Sequence, residues 1–359
     1  MTLLDIANSR LHSQHITKEK FKTAADIVSW MGAMQAQDYD MSKWALGVRL
    51  PSSTEEDIEK AIDSGKIIRT HVLRPTWHLV SADSIYWMLE LTAPRIKSTM
   101  ASRDRELELT DTLLKKSNVL LEKALIGNKH LTREELVAKL NQASIPTNDN
   151  RASHILLHAE LDGIICSGAS KDKKQTYALL QERVSQPKQI TKEEALGRLA
   201  KTYFSSHGFA TLQDFVWWSG LSVGDAKKAM EMIKSDFIQV QVEGDVYWVV
   251  NSFAESKKNS SSVYLLPAFD EFIISYKNRT AYISIEHQKK AFTSNGIFKP
   301  VIVVNGKVTG IWKRTIKTEN VLIEMEFFGP HNELTIQAIE EKAGQFGSYL
   351  KKQVEVIHK

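Results

Sequence analysis

Apolar residues along the first two-thirds of the chain switch between two spacings. Stretches with an apolar face every three or four residues, the period of a helix, give way to pairs of short runs in which apolar and polar positions alternate, the period of a strand. The scheme recurs three times. Helices followed by a hairpin are the grammar of a winged helix. The third repeat is clearest. Thr211 with Asp214, and Ser222 with Asp225, have the spacing of an N-cap followed by an acid, and predict helices over 212–219 and 223–234 around the turn Ser219-Gly220-Leu221. Ala226, Met230 and Ile233 share one face of the second helix, and Lys227 and Lys228 lie off it. Strands over 237–242 and 246–250, split by Glu243-Gly244-Asp245, complete the unit. In the second repeat, Thr132 and Glu135 predict a capping box and a helix to about residue 142. A further helix ends at Asp162-Gly163, and strands over 164–166 and 176–179 flank a turn carrying Lys171, Lys173 and Lys174. The first repeat is less regular, with helices over 5–14 and 24–34, another after Thr54, and strands over 67–72 and 77–80 around Leu73-Arg74-Pro75-Thr76.

Residues 252–262, with Asn259 followed by three serines, read as a domain boundary. Beyond them the pattern is mostly strand, over 263–266, 272–276, 301–304, 307–312 and 321–328, with Asn305-Gly306 as a type I′ hairpin signal. A helix over 333–354 closes the chain. The expected class is α+β: three tandem winged-helix units over 1–125, 126–190 and 191–255, then a small β-barrel-like domain over 262–359 with a terminal helix.

Composition narrows the function classes. With 359 residues, 42% hydrophobic and 25% charged, the chain reads as a globular protein with room for several cores. It has no run approaching the ~18 apolar residues of a membrane span and no basic leader, so a cytoplasmic protein is expected. The single cysteine, Cys166, excludes an internal disulfide framework and a cysteine-based zinc cluster, and its place in a predicted strand makes it a core residue. The net charge of +4 permits an anionic partner without demanding one; basic residues cluster at Lys171–Lys174, Lys227-Lys228 and Lys313, Arg314 and Lys317.

Phosphate-binding loops, dinucleotide fingerprints and nucleophile elbows are absent. His154 and His158, four apart, lack the intervening glutamate of a metalloprotease; they, and His12 with His15, read as helix-face residues, and neither a metal nor a cofactor is expected. Adjacent acids Asp270-Glu271, on a predicted strand, would point to opposite faces and could not share a proton, so hydrogen-bonded structural roles are expected. The remaining candidate is Gln35-Ala36-Gln37, at the C-terminal end of the helix before the first hairpin. Spacing alone cannot separate it from Gln239-Val240-Gln241, which sits on a predicted wing strand.

Several segments together resemble one family. Leu265-Leu266-Pro267-Ala268-Phe269-Asp270-Glu271, Arg279, and Asn295-Gly296-Ile297 ahead of 301–312 are similar to the C-terminal signature of the AlkZ/YcaQ-type winged-helix DNA glycosylases. Met34-Gln35-Ala36-Gln37-Asp38 resembles that family's N-terminal motif in its AlkZ-like form, and Arg69-Thr70 with Arg74-Pro75-Thr76-Trp77-His78-Leu79-Val80 resembles the segment after it. The chain departs at Arg74-Pro75, where the family pattern is Arg-Gly. The resemblance implies hydrolysis of the N-glycosidic bond of alkylated purines in duplex DNA, with crosslink unhooking in some members. It makes Gln35 and Gln37 the catalytic pair.

Two amides suit such chemistry. An N7- or N3-alkylated purine already carries positive charge and leaves without a strong general acid. What remains is to place a water against an oxocarbenium-like sugar, and amide oxygens accept hydrogen bonds from water. No lysine lies beside the motif, so the expected enzyme is monofunctional, without lyase activity. Arg69, Arg74, His78, Lys171, Lys173, Lys174, Lys227 and Lys228 are the candidate DNA contacts, and three fused units in one chain suggest a monomer on its DNA. The competing readings are a non-enzymatic winged-helix regulator and a protein-interaction module.

Overall fold

The computed structural model describes residues 1–186, 188–251 and 262–359; the expected boundary over 252–262 therefore lies, but for Ser262, outside the described residues. The fold is α+β. It divides into two compact units that interleave along the chain. One comprises Met1–Glu59, Gly197–Trp218 and Ser222–Lys359, the other Lys60–Leu196 and Ser219–Leu221.

In the Lys60–Leu196 unit the hairpin Ile67–His71/Trp77–Ser81 pairs Thr70 with His78 and Arg69 with Leu79. Thr132 and Glu135 form the expected capping box, and helices Arg133–Gln142 and Arg151–Leu161 follow. Strands Ile165–Ser167 and Thr176–Leu179 pair antiparallel, with Cys166 opposite Ala178. Cys166 is fully buried, and burial pushes its thiol up to about 12, which suits a core residue and not a nucleophile. Leu121, Leu125, Leu136, Leu140, Ile155 and Leu179 form the core. Two helices that the sequence reading did not include, Ile85–Glu106 and Asp111–Leu125, lie between the hairpin and the capping box. The first runs through Pro94, whose exposed ring sits in a 22-residue helix that neighbouring turns sustain.

The other unit holds a five-stranded sheet in the order Gln353–His358, Asn320–Phe327, Lys307–Ile316, Val301–Val304, Val263–Leu266. Asn305 and Gly306 have positive φ (50° and 80°), which gives the tight turn between Val304 and Lys307. The expected strand over 272–276 is a helix, Glu271–Ile274, because Asp270 caps it by accepting from the Phe272 N–H at 2.9 Å. The terminal helix stops at Leu350, not 354: Lys351 turns left-handed (φ 55°), and Gln353–His358 returns as a strand parallel to Asn320–Phe327. A parallel pair needs a crossover, and helix Glu333–Leu350 is that crossover, burying Ile339, Ala343 and Phe346. Gly347 permits the return, since a Cβ there would meet Val354 Cγ2 at 2.1 Å. Helices Leu212–Ser219 and Val223–Ile233 and hairpin Phe237–Val242/Asp245–Val250 follow the sequence reading closely.

Candidate active site

The Gln35-Ala36-Gln37 segment is not a helix end. Helix Ala24–Met31, capped by Thr23, stops at Gly32, whose φ of 78° breaks the helix. A side chain at Gly32 would also place its Cβ 2.8 Å from Thr202 Cγ2, so only glycine fits. The chain then runs extended through the strand Ala33–Gln35, every residue of it buried. Asp38 opens a further unanticipated helix, Tyr39–Arg49, by accepting from the Met41 N–H at 3.1 Å. The motif thus joins a buried strand to a helix N-terminus. Gln35 is 6% exposed and Ala36 fully buried, whereas Gln37 is exposed.

A buried carboxylate pins this segment. The Gln35 N–H donates to Glu271 Oε1 at 2.6 Å, while Glu271 Oε2 accepts from Trp218 Nε1 at 3.1 Å and from Ser275 Oγ. His207 Nε2 lies 3.6 Å from the same oxygen, too far for a hydrogen bond. Burial alone would push the Glu271 carboxyl up. His207 beside it, the Ser275 hydroxyl and the Gln35 amide outweigh burial and hold it at about 2. Burial lowers the His207 imidazole, against the opposing pull of Glu271 beside it. Asp270 takes a separate role, forming a two-pronged pair with Arg49 (Nη1–Oδ2 2.8 Å, Nη2–Oδ1 3.0 Å). Both acids are hydrogen-bonded, as expected, but they sit at a helix start and not on a strand.

The folded Glu271 carboxyl lies below its ordinary 4.5, so its ionised form contributes stability that is complete above about pH 4.5 and is lost as pH falls towards 2. The shift corresponds to a contribution on the order of 3 kcal/mol. Acid titration followed by circular dichroism should therefore show a loss of stability across that window, and Glu271→Gln should remove that pH dependence.

Beside the motif, Asp38 and Met41 line a cavity of about 400 Å³ with Lys299, Trp312, Arg314 and Glu326. Arg314 Nη2 reaches Asp38 Oδ1 at 3.6 Å and Asp40 Oδ2 at 3.9 Å. Part of the basic cluster noted in the sequence, Lys313 and Arg314, thus stands next to the two-glutamine motif. Lys227 and Lys228 are exposed on helix Val223–Ile233 of the same unit.

The other candidate contacts belong to the Lys60–Leu196 unit. Lys171, Lys173 and Lys174 are exposed on a turn closed by the Lys171 and Lys174 backbones, and Lys171 pairs with Glu135 at 3.1 Å. Arg69, 9% exposed, lays its guanidinium 4.1 Å from the Trp77 ring centre and donates to Gln175 Oε1 at 2.5 Å. Arg74 is half-buried at the hairpin turn. His78 is fully buried, with Nδ1 2.8 Å from the Thr76 carbonyl. Its burial places it inside the hairpin, away from solvent. His154 and His158 both face Asp104, at 3.0 and 2.9 Å, and no cluster able to hold a metal occurs among the described residues. No helix among them is long and apolar enough to cross a membrane.

The sequence profile of the "DNA glycosylase AlkZ-like" family matches residues 28–349, which include the motif and the Asp270-Glu271 pair. The chain belongs to the AlkZ-like DNA glycosylase family. Enzymes of that class cleave the N-glycosidic bond, which sets this reading above the non-enzymatic regulator. A relative from Streptomyces sahachiroi, an interstrand DNA cross-link repair glycosylase, is 22% identical over 350 residues, covering 93% of this chain and 92% of its own. The solved structure of Streptomyces sahachiroi DNA glycosylase AlkZ superposes with a TM-score of 0.83 at 20% identity, over 99% of this chain and 100% of that one. This AlkZ-like chain thus shares the whole fold of that enzyme.

Sequence reasoning missed what fixes the AlkZ-like motif in place. The Glu271–Gln35 contact spans 236 residues and has no local signal. The glycine that ends the preceding helix was a legible one.

Proposed function

We propose that this AlkZ-like protein is a monofunctional glycosylase that hydrolyses the N-glycosidic bond of cationic N7- or N3-alkylated purines in duplex DNA, crosslinked purines included, with Gln35 and Gln37 as its catalytic pair. The observation that carries the reading is the pinned strand-to-helix segment: Glu271 fixes the Gln35 backbone, and two residues on Gln37 is exposed. Gln37 offers its amide oxygen to the attacking water, and Gln35 supports that oxygen's position from beneath. Water adds to the anomeric carbon as the bond to the purine nitrogen breaks. The bond's electron pair neutralises the cationic base, and the water's proton passes to solvent. Because an amide is a poor base, unmodified purines are spared.

The three helix-and-hairpin segments act as winged-helix units over 1–125, 126–190 and 191–255, with 262–359 as a barrel-like domain. One cytoplasmic monomer holds the DNA through Arg69, Arg74, Lys171, Lys173, Lys174, Lys227 and Lys228.

The test is incubation of the protein with duplex containing N7-methylguanine. Free 7-methylguanine and alkali-labile abasic sites are expected; uncut strands after alkali, with tight binding to one particular sequence, would leave only a regulator. Lys227→Ala with Lys228→Ala should weaken duplex binding and make its dependence on log salt shallower by about two, if both meet phosphates. An unchanged slope in a fluorescence-anisotropy titration removes them from the interface.

A further inference from the structure

Two parts of the C-terminal signature noted in the sequence, Arg279 and Asn295-Gly296-Ile297, have no role in the glycosylase reading. In the structure they belong to one feature. Helix Ile285–Ala291 leads into a tight loop over 293–297, closed by a bridge between Phe292 and Phe298. The loop is braced from within. The Thr293 N–H donates to the Ile297 carbonyl at 3.0 Å, the Gly296 N–H to the Thr293 carbonyl at 3.1 Å, and the Ile297 N–H to Thr293 Oγ1 at 3.2 Å. Aromatic packing holds its base. The Phe298 ring stacks on Phe292 at 5.2 Å and meets Phe269 at 6.0 Å. The Arg279 guanidinium lies 5.1, 5.2 and 5.5 Å from the ring centres of Phe292, Phe298 and Trp217, and its Nε donates to the Ile273 carbonyl at 3.1 Å. Ile273 lies on the short helix that carries Glu271, so the loop and the strand that Glu271 pins share one frame.

At the tip of the loop Ile297 is 50% exposed. A lone surface isoleucine is ordinary; what surrounds this one sets it apart. Residues 277–299 carry Lys277, Arg279, Lys289, Lys290 and Lys299 against a single acid, Glu286, a balance that suits a polyanion. Lys299 and Pro300, two and three residues beyond Ile297, line the same cavity as Asp38, the neighbour of Gln37. Two residues of chain span no more than about 7 Å, which keeps the tip close to that cavity.

We propose that Ile297 is a wedge. Resting on the glycosylase reading, it enters the base stack of duplex DNA beside the alkylated purine and parts the step, so that the sugar of the lesion reaches Gln37. Chemistry on a base in a duplex requires that the base leave its stack, and apolar side chains inserted between base steps are a means of opening them. A β-branched side chain on a braced loop loses little rotamer freedom on insertion, and its apolar surface replaces part of the stacking it breaks. The flanking lysines meet the phosphates on either side of the opened step.

The experiment places 2-aminopurine, whose fluorescence rises on unstacking, beside N7-methylguanine in a duplex and follows binding by stopped flow, ahead of base release. The wild-type protein is expected to raise the signal severalfold. Ile297→Ala should lose most of that rise, and Ile297→Leu, which keeps the apolar volume, should restore it. The dependence of binding on salt should be the same in all three, because no phosphate contact changes. In single-turnover assays Ile297→Ala should release 7-methylguanine about tenfold more slowly from a fully paired duplex, and at the wild-type rate when the lesion sits in a bulge and is already unstacked. Both variants lie at a half-exposed position, and thermal melts check that they fold. No rise with the wild type, a rise that Ile297→Ala leaves intact, or equal slowing on paired and bulged lesions overturns the wedge. A rise that depends on Ile297 without release of base from either duplex supports the wedge and sinks the glycosylase reading instead.

Discussion

Gln37→Ala is expected to slow release of 7-methylguanine from alkylated duplex by about 10²–10³, the effect of deleting one preorganised dipole from a transition state, with no change in the salt-dependent binding of the duplex. The asymmetry follows from exposure. Gln37 is exposed directly before the N-cap of helix Tyr39–Arg49, so truncating it should leave the packing intact. The comparison is single-turnover kinetics against the wild type, with thermal melts of both proteins. Gln37→Glu sharpens it. A carboxylate accepts more strongly and is the better base, so this variant should retain release from cationic lesions and gain some from neutral ones. If Gln37→Ala turns over at the wild-type rate, the water is held elsewhere. The cavity bounded by Asp38, Arg314 and Glu326 is then the next place to look.

What the sequence could disclose depended on how far apart the interacting residues are. The capping box at Thr132 and Glu135, the Asn305-Gly306 turn and the hairpin after Val223–Ile233 rest on contacts within a few residues, and each was legible. The strand expected over 272–276 failed because that stretch is buried on all sides, and an all-buried run has no period to read; the Asp270 cap was the better signal. Helix Glu333–Leu350 ends without glycine or proline, at a lysine forced left-handed by the return of the last strand, so its end is set by a tertiary contact. The same limit applies to chemistry. Two glutamines were visible as a pair, but Glu271 reaches Gln35 across 236 residues.

The buried acid next to that pin leads to the largest stability effect expected. Arg49 is fully buried and holds both oxygens of Asp270; it also donates to the Gln14 carbonyl at 3.0 Å, to Gln14 Oε1 at 2.9 Å and to the Ala45 carbonyl at 2.9 Å. Arg49→Ala strands the Asp270 carboxylate in the interior and takes the donor from both Gln14 oxygens. The expected cost is about 3–5 kcal/mol, or a fall in melting temperature of roughly 10 °C, read by scanning calorimetry. The cost arises from the unpaired charge more than from loss of the pair's own attraction. Arg49→Met combined with Asp270→Asn should therefore be less damaging than Arg49→Met alone, because neither variant side chain carries charge. Activity adds an independent readout. Asp270 caps the short helix that carries Glu271, and Glu271 fixes the Gln35 backbone, so a folded Asp270→Asn protein should bind duplex normally yet release base more slowly. Melting that drops while base release at low temperature stays at the wild-type rate would mean that the Arg49–Asp270 pair holds the core together without positioning the glutamines.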